Sequence, residues 1–294
     1  MKVVTYSNAV AFWLAASTWL SSDPVRNTVP LSLTGRALHG VLDQSAILLT
    51  VHDGPDVVAA AIATLRSGVV LGAVPPAAAV AIAGHLASEN LSVPRVDGMR
   101  PATEAFAAAW TEHTGAESFV EENLRLYRLG EDGVDGSAAL TPPTGVPGEA
   151  MVAGESDVEL LIDWGQAVLH EISAHPRNDS RADVAGLVAA SITMGNGQIL
   201  WQVAGTPVAM ARVGAPREGM SRIGPVYTPR DQRGHGYGTA VTAAAARWAL
   251  DRGADHVVLF TDLANPVSNS IYQRIGFRAV ADAVAIGFRP GRLP

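Results

Sequence analysis

The chain has no cysteine among its 294 residues, which excludes a disulfide framework, a thiolate nucleophile and any cysteine-ligated zinc or iron–sulfur site. Charged residues are scarce, 17% against 48% hydrophobic, a balance far from that of disordered chains. Positive charge is in deficit, with a formal net charge of −7, and that argues against a general nucleic-acid binder, which needs a basic footprint. The eight histidines are scattered, with no pair at metal-ligand helical spacing beside a carboxylate, so no metal is expected. Long apolar runs are missing as well. Ala9 to Leu20 is interrupted by Ser17 and Thr18, and Val69 to Ala83 is broken by Pro75 and Pro76, so neither spans a bilayer. The expectation is a soluble, cytoplasmic protein without membrane or nucleic-acid partners.

What is present is chain enough for two domains of about 150 residues. The sharpest composition break is Leu140 to Gly148, with Pro142, Pro143, Pro147 and two glycines, which reads as a linker. Residues 1–139 and 150–294 then form two domains joined by 140–149. In the first, helices near 7–20 and 31–38 precede strand runs at 46–52 and 57–64 joined across Asp53-Gly54, a strand at 69–73, a helix over 76–89, a strand at 93–96, a helix over 103–113 and a strand near 118–126. In the second, helices near 158–173 and 181–194 precede a hairpin at 198–203 and 207–213, a strand at 223–228, a helix over 239–252, a strand at 256–261, a short helix over 266–275 and a strand pair near Phe288. The order is the same, so the fold class expected is α/β (α+β) in tandem, each copy a mixed sheet flanked by helices.

Between the strand at 223–228 and the helix at 239–252 lies Arg233, Gly234, His235, Gly236, Tyr237, Gly238. A glycine turn opening a helix exposes backbone N–H groups at the positive end of the helix dipole, which suits a pyrophosphate. An NTPase loop needs lysine after its last glycine, whereas Thr239 and Ala240 follow Gly238 here. A dinucleotide fingerprint wants glycines spaced two and then three apart, and here the spacing is two and two, with Asp262 too late. A nucleotide-dependent oxidoreductase, an unliganded connection and coenzyme A remain open on the turn alone. Five arginines against Glu218 and Asp231 between positions 212 and 233 give the region a positive sign in an acidic chain, as an anionic cofactor would want.

Arg233, Gly236 and Gly238 fill the fixed positions of a pattern that resembles the signature of the GNAT superfamily of N-acetyltransferases. Asn265, Ser268, Asn269, Ile271, Tyr272, Gly276 and Phe277 are similar to that family's second motif. The C-terminal half also resembles the glycine N-acyltransferase-like branch. The resemblance implies that residues 233–239, including Gly234, His235, Tyr237 and Thr239, bind the pyrophosphate of acetyl-coenzyme A, with Val226, Tyr227 and Thr228 along the pantetheine arm. Asn265, Ser268 and Asn269 are implied at the cofactor. It also implies that the main-chain N–H of Val226 stabilises the oxyanion and that Tyr272 protonates the departing thiolate of coenzyme A. The acceptor would be the amine of a small molecule or peptide. The glutamate that many members carry on the strand before the turn is missing, since Ser221 to Thr228 holds no carboxylate. Glu171, His170, His175 and Glu218 are the candidate bases. At the matching place in the first half, Val74, Pro75 and Pro76 remove N–H donors, which implies a degenerate copy without cofactor. A non-catalytic acyl-coenzyme A sensor is the alternative to an enzyme.

Overall fold

The computed structural model describes residues 1–43, 45–131, 135–172 and 180–291. The first half runs β1 (Lys2–Tyr6), α1 (Ala9–Ser22), α2 (Thr28–Leu38), β2 (Ile47–Asp53), β3 (Asp56–Thr64), β4 (Gly68–Leu71), α3 (Pro76–Ser88), β5 (Arg95–Met99), α4 (Arg100–Thr114) and β6 (Glu117–Leu129). After the short α5 (Gly136–Ala139), the second half runs β7 (Glu149–Val152), α6 (Val158–Ile172), α7 (Arg181–Thr193), β8 (Gly197–Val203), β9 (Thr206–Val213), β10 (Met220–Tyr227), α8 (Tyr237–Leu250), β11 (His256–Asp262), α9 (Pro266–Ile275) and β12 (Phe277–Arg289). The expected helices and strands appear in the same order in both halves.

Two strands escaped the sequence reading, and they are each other's counterpart. β1 and β7 are only five and four residues long, too short for alternation to register. The strand pair expected near Phe288 is instead the single strand β12, thirteen residues without a turn. Gly287, which reads as punctuation, sits inside it because a side chain there would meet Phe119 at 2.6 Å and Glu121 at 2.4 Å. Its role is close approach of a neighbour, not chain reversal.

The chain forms two compact units. Unit 1 comprises Met1–Leu126, Asp262–Ala264 and Ala281–Pro294, and unit 2 comprises Tyr127–Thr261 and Asn265–Val280. In unit 1 the strand order is β1-β2-β3-β4-β5-β12-β6. Its core lies between the sheet and the helices α3 and α4, with Ile82, Leu86, Phe106 and Trp110 buried against Val69, Val96 and Ile286.

In unit 2 the order is β12-β6-β11-β10-β9-β8-β7. α8 buries the stripe Val241, Ala245, Trp248 and Ala249, as its spacing predicts. Trp248 fits because Gly197 on β8 has no side chain; a Cβ there would lie 2.8 Å from the indole. A smaller apolar cluster gathers Leu161 and Val168 of α6 with Leu200 and Met210. α9 closes at Gly276, whose φ of +115° is open to glycine alone, and whose missing Cβ would lie 2.1 Å from the Ala139 carbonyl oxygen. Gly276→Ala should therefore lose on the order of 3 kcal/mol of stability. A urea denaturation midpoint equal to the parent's would show that this cap does not fix α9.

Candidate active site

The site is built where two parallel strands part. β10 and β11 pair from Met220↔His256 to Ile223↔Leu259 and no further, although both strands continue. On its other edge β10 shifts register against β9 between Ile223 and Val226. The shift falls at Gly224-Pro225, a cis peptide. Proline cannot donate to a ladder, and a Gly-Pro pair inside a strand pattern is the sequence signal that marks such a bulge. Beyond it, Val226 and Tyr227 stay registered with Ala211 and Met210 of β9, and their β11 side has no registered partner strand. The Nε of Arg212 donates to the Gly224 carbonyl at 3.0 Å, which ties the bulge to β9.

Thr228 to Gly238 carries the chain from β10 into α8. A single 3₁₀ turn at Arg230–Gln232 precedes Arg233, whose Nε donates to the Thr228 carbonyl at 2.9 Å and closes the loop. Gly234 and Gly236 then take φ of +85° and +83°, which side chains rarely adopt. Gly236 is the N-cap of α8, and no side chain caps that helix. The N–H groups of Tyr237, Gly238 and Thr239 lie in a first turn with no intrahelical acceptor. A Cβ on Gly234 would meet nothing within 4 Å, and one on Gly238 would come to 3.3 Å from the Thr228 hydroxyl. The space beside Gly234 is open, whereas a Cβ on Gly236 would lie 3.0 Å from the Val146 side chain; the donors of the turn are main-chain amides, and the helix dipole makes it positive. His235 stacks on Tyr237 with ring centroids 5.4 Å apart.

α9 starts at the carboxyl end of β11, so its first turn and the glycine turn sit at the same ends of adjacent parallel strands, where α/β sheets bind ligands. Asn265 is the N-cap, its Oδ1 accepting from Ser268 N at 3.0 Å, and Pro266 fills the first position. The Asn269 side-chain amide donates to the Asn265 carbonyl at 2.7 Å, and its Oδ1 accepts from the Tyr127 hydroxyl at 2.9 Å. The Tyr272 ring lies edge-on to Phe277 with centroids 6.2 Å apart. Burial pushes the Tyr272 hydroxyl up to about 12, opposed only in part by a hydrogen bond from Ser268. The phenol therefore holds its proton throughout the physiological range.

Of the sequence-derived arginines, Arg230 and Arg233 converge on one partner. Arg233 Nη2 donates to Glu171 Oε2 at 2.6 Å and Arg230 Nε to Oε1 at 3.2 Å. Burial raises the Glu171 pKa, but the hydrogen bonds from Arg233 and Arg230 outweigh it and leave the carboxyl below its ordinary value. That is the wrong direction for a base, and the reason is the pairing, which sequence spacing across sixty residues does not reveal. His170 is exposed next to it on α6, and Glu218 sits at φ +47° in the connection into β10. His175 lies outside the described residues. Two further side chains at the site gave no sequence signal: Trp164 of α6, whose ring lies 5.9 Å from that of Tyr227, and Tyr127. Among the described residues, no group of three or more His, Asp or Glu is placed to hold a metal, and no helix is long and apolar enough to cross a membrane.

The sign of the Glu171 shift fixes a pH dependence. Its folded-state pKa is depressed, so the stabilisation is present above the unfolded carboxylate value of about 4.3 and lost as pH falls through the folded one. The thermal-midpoint difference between parent and Glu171→Gln should be largest near neutrality and shrink in acid. A difference that is constant with pH would contradict the ion pair.

A search of curated proteins gives no significant match. A family model, described as acetyltransferase (GNAT) family, matches residues 166–277, which hold the glycine turn and α9. Among solved structures, the chain is similar to a tandem GNAT protein from the clavulanic acid biosynthesis pathway, at 14% identity and TM-score 0.60, with 100% of this chain and 99% of that one covered. It is similar to a GCN5-related N-acetyltransferase from Sphaerobacter thermophilus at 16% identity and TM-score 0.58, covering 99% and 97%. A GCN5-related N-acetyltransferase from Kribbella flavida aligns at 22% identity and TM-score 0.52 over 83% and 86%. At these identities the likeness speaks for the fold. Residues 166–277, which hold the turn and α9, are thus similar to the acetyltransferase (GNAT) family, and the chain as a whole shares the fold of such proteins.

Proposed function

We propose that the protein is an acetyl-coenzyme A-dependent N-acetyltransferase that acylates the amine of a small molecule or peptide by direct attack. The observation that carries the reading is the N-terminus of α8, without a side-chain cap and with open space beside Gly234, at the end of the β10–β11 ladder. The amides of residues 234–239 would hold the pyrophosphate, and Val226, Tyr227 and Thr228 would run beside the pantetheine arm. Asn265, Ser268 and Asn269 would flank the thioester end. Bound acetyl-coenzyme A supplies an activated acyl group. The main-chain N–H of Val226 is proposed to face the developing oxyanion, and the Tyr272 hydroxyl to deliver the proton that the departing sulfur takes. A phenol with a pKa near 12 stays in its acid form, so activity should show no alkaline loss from this group until far above neutrality.

Unit 1 is proposed to bind no cofactor. At its matching position, after the parallel β4–β5 pairs Val69↔Val96 and Val70↔Asp97, α3 is capped by Pro75 and starts at Pro76. The Oδ1 of the fully buried Asn27 takes the Ala73 N–H at 2.8 Å. It also occupies the space beside Gly72, where a Cβ would lie 2.1 Å from it. The donors are thus removed or already used.

A second reading, an acyl-coenzyme A sensor, is favoured by one observation: among the described residues, the carboxylate bound to Arg230 and Arg233 is Glu171, held charged, and β10 carries none. Calorimetry with acetyl-coenzyme A, NAD and ATP separates the cofactors, and absence of coenzyme A binding would sink both readings. Free-thiol release across an amine panel separates enzyme from sensor. Tyr272→Phe should lower kcat about 100-fold and leave acetyl-coenzyme A affinity unchanged; full retained rate would remove Tyr272 as the acid.

A further inference from the structure

We infer that Tyr127, on the last three residues of β6, is a positioning residue for acyl transfer: by gripping α9 through Asn269 and Gln273 it fixes the placement of Tyr272. The inference rests on the proposed role of Tyr272 as acid. Tyr127 is 1% exposed and packs in the unit 2 core with Leu129, Ile275 and Phe277. Its hydroxyl donates to Asn269 Oδ1 at 2.9 Å and accepts from Gln273 Nε2 at 3.3 Å. These partners are four residues apart, hence on one face of α9, and they bracket Tyr272.

α9 needs such an anchor. At ten residues it is shorter than the roughly 12–15 at which isolated helices become stable, and among its described side chains only Ile275 is fully buried. The bonds from Tyr127 continue through the helix. Asn269 donates to the Asn265 carbonyl, and Asn265 caps Ser268 N, one turn before Tyr272. One chain of hydrogen bonds therefore runs from the Tyr127 hydroxyl into the first turn of α9, the helix that carries Tyr272. A rotation of α9 that displaced Tyr272 would have to break it, and displacements near 1 Å are enough to slow a reaction about 100-fold. Tyr127 stands in the first half of the sequence, before the matched segment 166–277, where no catalytic motif points to it.

The test is a double-mutant cycle on the full chain, read by free-thiol release with acetyl-coenzyme A and an amine from the panel. Tyr127→Phe keeps the ring and removes the hydroxyl. It should lower kcat about tenfold and leave KM for acetyl-coenzyme A within about twofold. In a Tyr272→Phe background the same change should alter kcat less than about twofold, because its target is gone. A purely structural role would give additive losses, and additivity with a slow Tyr272→Phe enzyme overturns the inference. A Tyr272→Phe enzyme with full rate overturns the acid assignment itself, and with it the route by which Tyr127 acts. If thermal scans show Tyr127→Phe unfolded, Gln273→Ala, which removes the other bond to the Tyr127 hydroxyl, replaces it in the same cycle with the same expectations.

Discussion

Parallel strands that pair over only four residues must end their ladder early, and the end of the β10–β11 ladder at Ile223 and Leu259 sets the rest of the site. Past that point β10 keeps its bonds to β9 alone, with a bulge at Gly224-Pro225, so one edge of a strand inside the sheet is left without a neighbour. Backbone polar groups left without partners are costly where water is excluded, and a polar, extended ligand satisfies them. The glycine turn and α9 both spring from the carboxyl ends of these two strands. The parting of the ladder therefore brings a strand edge, a helix N-terminus without a side-chain cap and the half-buried Tyr272 phenol to one end of the sheet.

Electrostatics tune that place by subtraction. The first turn of α8 and the arginines before it supply positive charge, but Glu171 takes up Arg230 and Arg233. The glycine turn is left with its amides and helix dipole as the principal source of positive potential, and with Arg230 and Arg233 held by Glu171. The same pairing lowers the proton affinity of Glu171, because a carboxylate between two guanidiniums is stabilised in its charged form.

The two halves share strand order, the parallel pair and the helix that follows it, yet they treat the end of the ladder differently. In unit 2 the donors are left open by glycines. In unit 1 prolines delete them and Asn27 fills the space beside Gly72. One architecture thus yields either an open turn or a closed one through a few residues.

By itself the sequence determined the repeated order of helices and strands, the glycine turn, the N-cap and C-cap of α9 and the core stripe of α8. These depend on residues within a few positions of one another, so periodicity, capping and glycine φ preferences suffice to read them. Only the tertiary structure decided which residues act across long separations. It brought Glu171 to Arg233, joined Tyr127 to α9, parted β10 from β11 and gave the end of β12 to unit 1. Those contacts arise from strand order and packing, and no local pattern in the chain encodes which distant side chain a sheet will place beside another.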